Sequence, residues 1–199
     1  MAGIHLAAVP IGRVGVDEIK AALARAAKVL HQPVELREPL PVPRDSEDPE
    51  RGQHRAAVLM NRLGAEVLKL KPGKLVGTND PGAKPPFQPD GFLFVTDVDL
   101  FTAKTEGVVA ALISSKHYAV ISVRRLREAF YRRKADPNRQ RSRLTKEVLR
   151  MAGRLAGLSE CSDPACALAP SRSMPDIDAK EERYCRACEQ AFFEGTMRL

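Results

Sequence analysis

The chain has 199 residues, a formal charge of +7 and 44% hydrophobic residues. That is enough for one ordinary domain with its own core. No apolar run approaches the roughly 18 residues that a bilayer span needs. Residues 1–15 lack a basic region followed by a long apolar one, so no signal peptide is expected and the cytoplasm is the expected compartment.

Ile4–Val9 is a short apolar run ended by Pro10 and Gly12, and reads as a buried first strand. Val16, Ile19, Leu23, Ala27 and Leu30 recur at helical spacing, which predicts a helix over 16–31 stopped by Pro33. Val34–Leu36 reads as a second strand. The Pro-rich, acidic stretch 39–49 reads as a loop, and 51–70 as a second helix with Ala57, Leu59, Met60, Leu63 and Val67 available to the core. Residues 71–91 carry five prolines and four glycines, a composition that argues against both helix and central strand. Phe92–Val95 is strand-like. The runs 108–113 and 118–123 read as two more strands, paired as a hairpin across Ser114–His117. A short helix is expected over 124–132 and a longer one over 138–156, where Leu144, Val148, Met151 and Leu155 share a face. Gly157 stands where a left-handed residue would end it. Strands and helices alternate early and helices follow late. The expected class is therefore α/β (α+β), one mixed sheet packed on helices in a single domain spanning 1–199.

Charge and cysteine are both concentrated late in the chain. Residues 124–154 hold twelve Lys and Arg against Glu128, Asp136 and Glu147, a local charge of +9. Such a block attracts nucleic acid or another polyanion. With no Trp in the chain and one Phe and one Tyr in the block, a solvated helix surface is the plainer reading. All four cysteines fall in the last 39 residues, as Cys161-x4-Cys166 and Cys185-x2-Cys188. In a reducing compartment, two short-spaced pairs are a metal site before they are disulfides. Four thiolates suit one tetrahedral zinc with no open position, a site that stabilises a fold and does no chemistry.

The run Gly157-Leu158-Ser159-Glu160-Cys161-x4-Cys166, followed by Cys185-x2-Cys188, resembles the archaemetzincins, a family of metzincin-like zinc peptidases with the pattern HExxHxxGxxHCx4CxM and a later CxxC. Thr96-Asp97-Val98-Asp99-Leu100 is similar to the family's central strand, Tyr118–Leu126 to its edge strand, and Arg51-x-Gln53-x-x-Ala56 with Leu59 to its second helix. Ser171, Ser173, Asp178 and Lys180 match its post-cysteine loop. The resemblance implies a metzincin-like domain. Its core, with the active-site helix, would span 1–156 and its structural-zinc segment 157–199. It also implies that Cys161, Cys166, Cys185 and Cys188 hold one zinc ion.

Aligned on Gly157 and Cys161, the family's catalytic positions are occupied by other residues. Arg150 and Arg154 stand at the first two zinc-binding histidines, Met151 at the general-base glutamate and Glu160 at the third histidine. Arginine has no lone pair to donate, and its charge repels a dication. Methionine cannot accept a proton from water. A zinc-hydroxide mechanism needs both metal and base, so no catalytic residue and no catalytic zinc are expected here. Glu160 is expected to pair with Arg154, or with both arginines, in place of the metal. The four histidines (His5, His31, His54, His117) show no His-x3-His spacing, and His117, at a strand connection, is the one candidate for a substitute ligand. Asp97 and Asp99 read as structural or loop-anchoring. The expected function is a peptidase-like protein without peptidase activity that binds a peptide or other anionic ligand in the former cleft. Behind it stand a hydrolase with a non-standard metal site, and polyanion or nucleic-acid binding through 124–154.

Overall fold

The computed structural model describes residues 4–80, 82–85 and 88–196. In chain order the elements are β1 (Leu6–Ile11), α1 (Val16–Leu30), β2 (Val34–Leu36), β3 (Glu47–Asp48), β4 (Gln53–Arg55), α2 (Ala56–Val67), β5 (Lys74–Val76), β6 (Gly91–Thr96), β7 (Leu100–Phe101), β8 (Ala110–Ile113), β9 (Tyr118–Ser122), α3 (Pro137–Leu155), α4 (Met174–Ala179) and α5 (Arg186–Thr196). Six strands form the main sheet in the order β5-β2-β1-β6-β9-β8. The inner four run parallel, and the edges β5 and β8 are antiparallel to their neighbours. β3, β4 and β7 make a small second sheet.

Alternation along the buried strands divides the core in two. Ala8, Leu93, Val95, Ala119 and Ile121 face α1 and α3, while Ala7, Val9, Phe92, Phe94 and Val120 face α2. β1 and β6 are buried at every position because helices cover both faces. β1 runs through Pro10. The Pro10 carbonyl accepts from the Leu40 N–H. In a parallel strand, a residue's N–H and C=O point to the same side, so the missing proline N–H is not one the β1–β6 ladder needs.

Two expected helices are shorter than their apolar pattern. Residues 53–55 form β4, bonded to β7, so α2 starts at Ala56. Over 124–132 only a 3-10 turn forms, at Glu128–Tyr131. The Pro/Gly-rich stretch contains β5, which pairs antiparallel with β2 at an edge, where such a sequence is tolerated; its Pro81, Pro86 and Phe87 lie outside the described residues. α3 starts as its sequence dictates. The Asp136 side chain caps the Arg139 N–H and Pro137 occupies the first turn. Among the described residues, no helix is long and apolar enough to cross a membrane.

Candidate functional site: a thiolate centre and a charged cleft

α3 ends in a Schellman turn. The Leu158 N–H bonds to the Gly153 carbonyl and the Gly157 N–H to that of Arg154, with Gly157 at φ 86°. The turn delivers Cys161 to the end of the helix. The chain then folds back along α3, and Gly153 lets it approach closely. A Cβ on Gly153 would meet Leu168 Cδ2 at 2.7 Å and the Tyr184 hydroxyl at 3.3 Å. Tyr184 is buried and donates to the Leu149 carbonyl at 2.6 Å. α4 lies between the two cysteine pairs, held by a capping box between Ser173 and Asp176.

This path gathers Cys161, Cys166, Cys185 and Cys188, whose sulfurs all lie within 4.8 Å of one another. Cys161 Sγ and Cys185 Sγ are 3.8 Å apart. A tetrahedron with Zn–S bonds of about 2.3 Å has edges of about 3.8 Å, so the separation fits a zinc ion. The Asp163 and Cys185 N–H groups point at Cys161 Sγ and Cys166 Sγ, at 3.4 and 3.3 Å, as donors that support thiolate charge. The donor set therefore suits zinc. Among the described residues it is the one cluster of three or more His, Cys, Asp or Glu side chains that brings ligand atoms together.

The four histidines stand apart. His5 contacts Glu35 at 3.0 Å and His54 contacts Ser46 at 2.9 Å. His31 ends α1 and His117 ends the 3-10 turn at Ser114–Lys116, both with left-handed backbones.

Arg150, Met151, Arg154 and Glu160 sit on or just beyond α3. Arg150 is only 8% exposed. Its Nε and Nη2 both donate to Glu147 Oε2, at 3.0 and 2.7 Å. Glu160 is half exposed and comes no closer than 3.9 Å to Arg150 Nη1. Arg154 makes no pair with Glu160. Its Nη1 donates to the Leu158 carbonyl at 2.6 Å, because the Gly157 turn folds that carbonyl back over the last helical turn. The expected pairing of Glu160 with Arg154 is thus replaced by a buried Glu147–Arg150 pair. Met151 is buried in the core.

Glu147 is the centre of a buried polar group. Its Oε1 accepts from the Ser171 hydroxyl and lies 3.5 Å from Lys180 Nζ, which in turn is 2.5 Å from Ser171 Oγ. Burial pushes the Glu147 carboxyl up, but Arg150 and Lys180 outweigh it and hold it below the ordinary value. Burial depresses Lys180 despite Glu147 beside it. Neighbouring pairs complete the docking of the segment on α3. Arg143 grips Asp178 through two bonds of 2.6 Å and contacts Glu128 at 2.8 Å, and Lys146 Nζ donates to the Ile177 carbonyl. Arg143, Lys146 and Arg150 of the +9 block are therefore turned inward. Asp99 likewise accepts two bonds from Arg125, at 2.6 and 2.8 Å, and one from Gln53, which is the loop-anchoring role expected of it.

Arg150 opens on its outer side into a cleft of about 620 Å³ between the β8 edge, the rim at Arg125–Arg133, α3 and the segment 170–178. Arg125, Arg133, Arg143, Arg150 and Arg172 line it, against Glu160 and Asp178. The β8 edge is open along this side. The Ser122 N–H bonds to the Val109 carbonyl, so with the observed register the antiparallel alternation turns the N–H and C=O of Ala110 and Leu112 away from β9.

A mixed sheet with helices on both faces, a helix buried beneath a cleft, and a four-thiolate centre at that helix's C-terminal end define a single-domain α/β protein with a candidate zinc site. The model of Peptidase family M54 matches residues 62–193, and the chain belongs to that family. Archaemetzincins of Saccharolobus solfataricus and Thermococcus kodakarensis are each 34% identical to it, over 102 and 96 residues. Those matches cover 51% and 48% of this chain and 55% and 52% of the relatives, so the chain spans about half the length of the curated relatives it matches. The fold resembles the crystal structure of a zinc-dependent peptidase from Methanocorpusculum labreanum (TM-score 0.78, 22% identity, 94% of this chain and 99% of that one). It also resembles the archaemetzincins of Methanopyrus kandleri (0.74, 23%, 99% and 97%) and Archaeoglobus fulgidus (0.69, 21%, 93% and 98%), the latter complexed with malonate.

In the sequence Ser171 and Lys180 stand out only as matches to a family loop, and Glu147 only as one of three acids in the basic block 124–154. Their convergence shows when segment 166–184 folds back on α3. The one local signal was the i, i+3 spacing of Glu147 and Arg150.

Proposed function

We propose that this chain is an archaemetzincin-family protein that has exchanged zinc-dependent peptidase chemistry for ligand binding. It would keep a structural zinc on Cys161, Cys166, Cys185 and Cys188 and take an acidic group of a peptide on Arg150. The observation that carries the reading is Arg150 itself. Aligned on Gly157 and Cys161 it falls at the family's first zinc ligand; it is a permanent cation, buried and held by Glu147, it lines the cleft, and Glu160 stands 3.9 Å from its Nη1. A fixed guanidinium takes a carboxylate where the family takes a metal. The open β8 edge suits an extended chain, whose main-chain groups would extend the sheet while Arg150 binds an acidic side chain or a C-terminal carboxylate. The malonate described with the Archaeoglobus protein is a dicarboxylate, and makes a convenient small competitor. A reducing compartment such as the cytoplasm suits the thiolates. Polyanion binding through residues 124–154 is less favoured, because Arg125, Arg143, Lys146 and Arg150 are engaged internally.

Zinc analysis and a binding titration test the proposal together. Purified protein should carry one zinc per chain and bind a fluorescent acidic peptide in competition with malonate. Arg150→Gln should weaken binding by about ten- to a hundredfold. A second zinc per chain, bound in the Cys161→Ser/Cys185→Ser double variant, would refute it in favour of a rebuilt metal-dependent hydrolase. So would peptide binding indifferent to Arg150.

A further inference from the structure

Glu147, Arg150, Lys180 and Ser171 form a closed group at the cleft floor, and ligand binding by the outer edge of Arg150 leaves its inner members without a role. The group has one carboxylate and two cations. Arg150 already neutralises Glu147 through two bonds to Oε2, and a guanidinium does not give up its proton. Lys180 is fully buried beside them. The charged groups facing it are Glu147 and Arg150 from α3 and Asp176 from α4; Glu160 reaches only Arg150. A buried site sheds surplus positive charge through the member able to lose a proton, and that member is Lys180. Its Nζ lies 2.5 Å from Ser171 Oγ, and Ser171 lines the cleft. A hydroxyl open to a cleft, a buried amine within hydrogen-bond reach and a carboxylate orienting both have the form of nucleophile, base and orienter.

We propose that Ser171 and Lys180 are a nucleophile–base pair for metal-independent acyl transfer to water, acting on esters or activated amides. The Ser171 hydroxyl, which donates to Glu147 Oε1 in the resting site, turns toward the neutral Lys180 Nζ, and Ser171 Oγ bonds to the acyl carbon as its proton passes to that nitrogen. The oxyanion of the tetrahedral adduct is offered the Arg150 guanidinium, which lines the same cleft. The bond to the leaving group then breaks, and that group departs with the proton from Lys180. A water molecule next gives a proton to Lys180 and adds to the acyl-serine. Ser171 Oγ leaves, recovers that proton, and a carboxylic acid is released.

A fluorophosphonate probe tests this on the zinc-loaded full chain, since an activated serine displaces its fluoride and keeps the phosphoryl group. Intact mass should rise by one adduct per chain, peptide mapping should place the adduct on Ser171, and Ser171→Ala should remove it. Lys180→Arg places a permanent cation beside Glu147 and supplies no base, so labelling should slow by about a hundredfold. Lys180→Met, which leaves the Glu147–Arg150 pair balanced, should slow it as much and retain the native melting temperature more nearly than Glu147→Ala does. No adduct on the native chain, an adduct on another serine, or an unchanged rate in the folded Lys180 variants overturns the proposal. A chain that labels at Ser171 yet binds no acidic peptide loses only the binding reading, and one that binds without labelling loses only this one.

Discussion

Arg150 and Glu160 lie close together at the cleft and have opposite physical situations. Arg150 is buried on a rigid helix and bonded twice to Glu147, whereas Glu160 is half in solvent and 3.9 Å from its nearest cation. Glu160→Ala should therefore change stability by less than about 1 kcal/mol. Glu147→Ala leaves Arg150 and Lys180 buried without a carboxylate and should cost roughly 3–5 kcal/mol. Urea denaturation of the two variants measures the contrast, and similar losses would show that Glu147 is not the keystone. A second buried carboxylate predicts the acid response. Glu35 is fully buried; burial pushes its pKa up, but His5, Arg37 and the Gly73 N–H prevail and hold it at about 2. A depressed folded pKa stabilises fully above the unfolded value of 4.5, and that contribution disappears as the pH falls toward about 2. The linkage is worth about 3 kcal/mol. The stability gap between native protein and Glu35→Gln should narrow steadily below pH 4.5.

At the scale of elements, α3 has two jobs visible at different levels. Its apolar stripe (Leu144, Val148, Met151, Leu155) and its end at Gly157 were legible in the sequence, because period and a left-handed glycine are local properties. Its second, charged face was not. Arg143, Lys146, Glu147 and Arg150 read as solvent-facing by composition, yet all are buried, since the first three find partners at residues 128 and 171–180 and Arg150 is bonded to Glu147. Gly153 belongs to the same contact. Gly153→Ala would improve helix propensity by about 1 kcal/mol in isolation. Here the new methyl meets Leu168 at 2.7 Å, so the melting temperature should fall rather than rise. β5 was missed for a related reason: a Pro/Gly-rich stretch forms a strand only when a neighbour such as β2 supplies an edge to pair with.

For the whole molecule, the thiolate centre and the cleft are mechanically one. The segment that carries the cysteines also supplies the cleft wall at 170–178. It is docked by Tyr184, Lys146, Arg143–Asp178 and the Glu147 group, but its own apolar core is small. Chelating the zinc should expose amides across 161–188 to hydrogen exchange while those of β1, β6 and β9 stay protected. Acidic-peptide binding should be lost with them. Protection of 161–188 unchanged by chelation would mean that side-chain docking alone holds the segment.

The amino-acid sequence determined what depends on spacing along the chain: the buried strands, the apolar stripe of α3, the cysteine pairs and the α/β class. Those are short-range patterns, and short-range geometry is enough to read them. The tertiary structure decided which charges meet. Glu147, not Glu160, neutralises Arg150, and Lys180 comes to rest against Ser171 because a segment 20 to 30 residues downstream folds back along a helix that Gly153 leaves open. Partner choice among buried charges is a long-range matter of approach and desolvation, and no spacing rule encodes it.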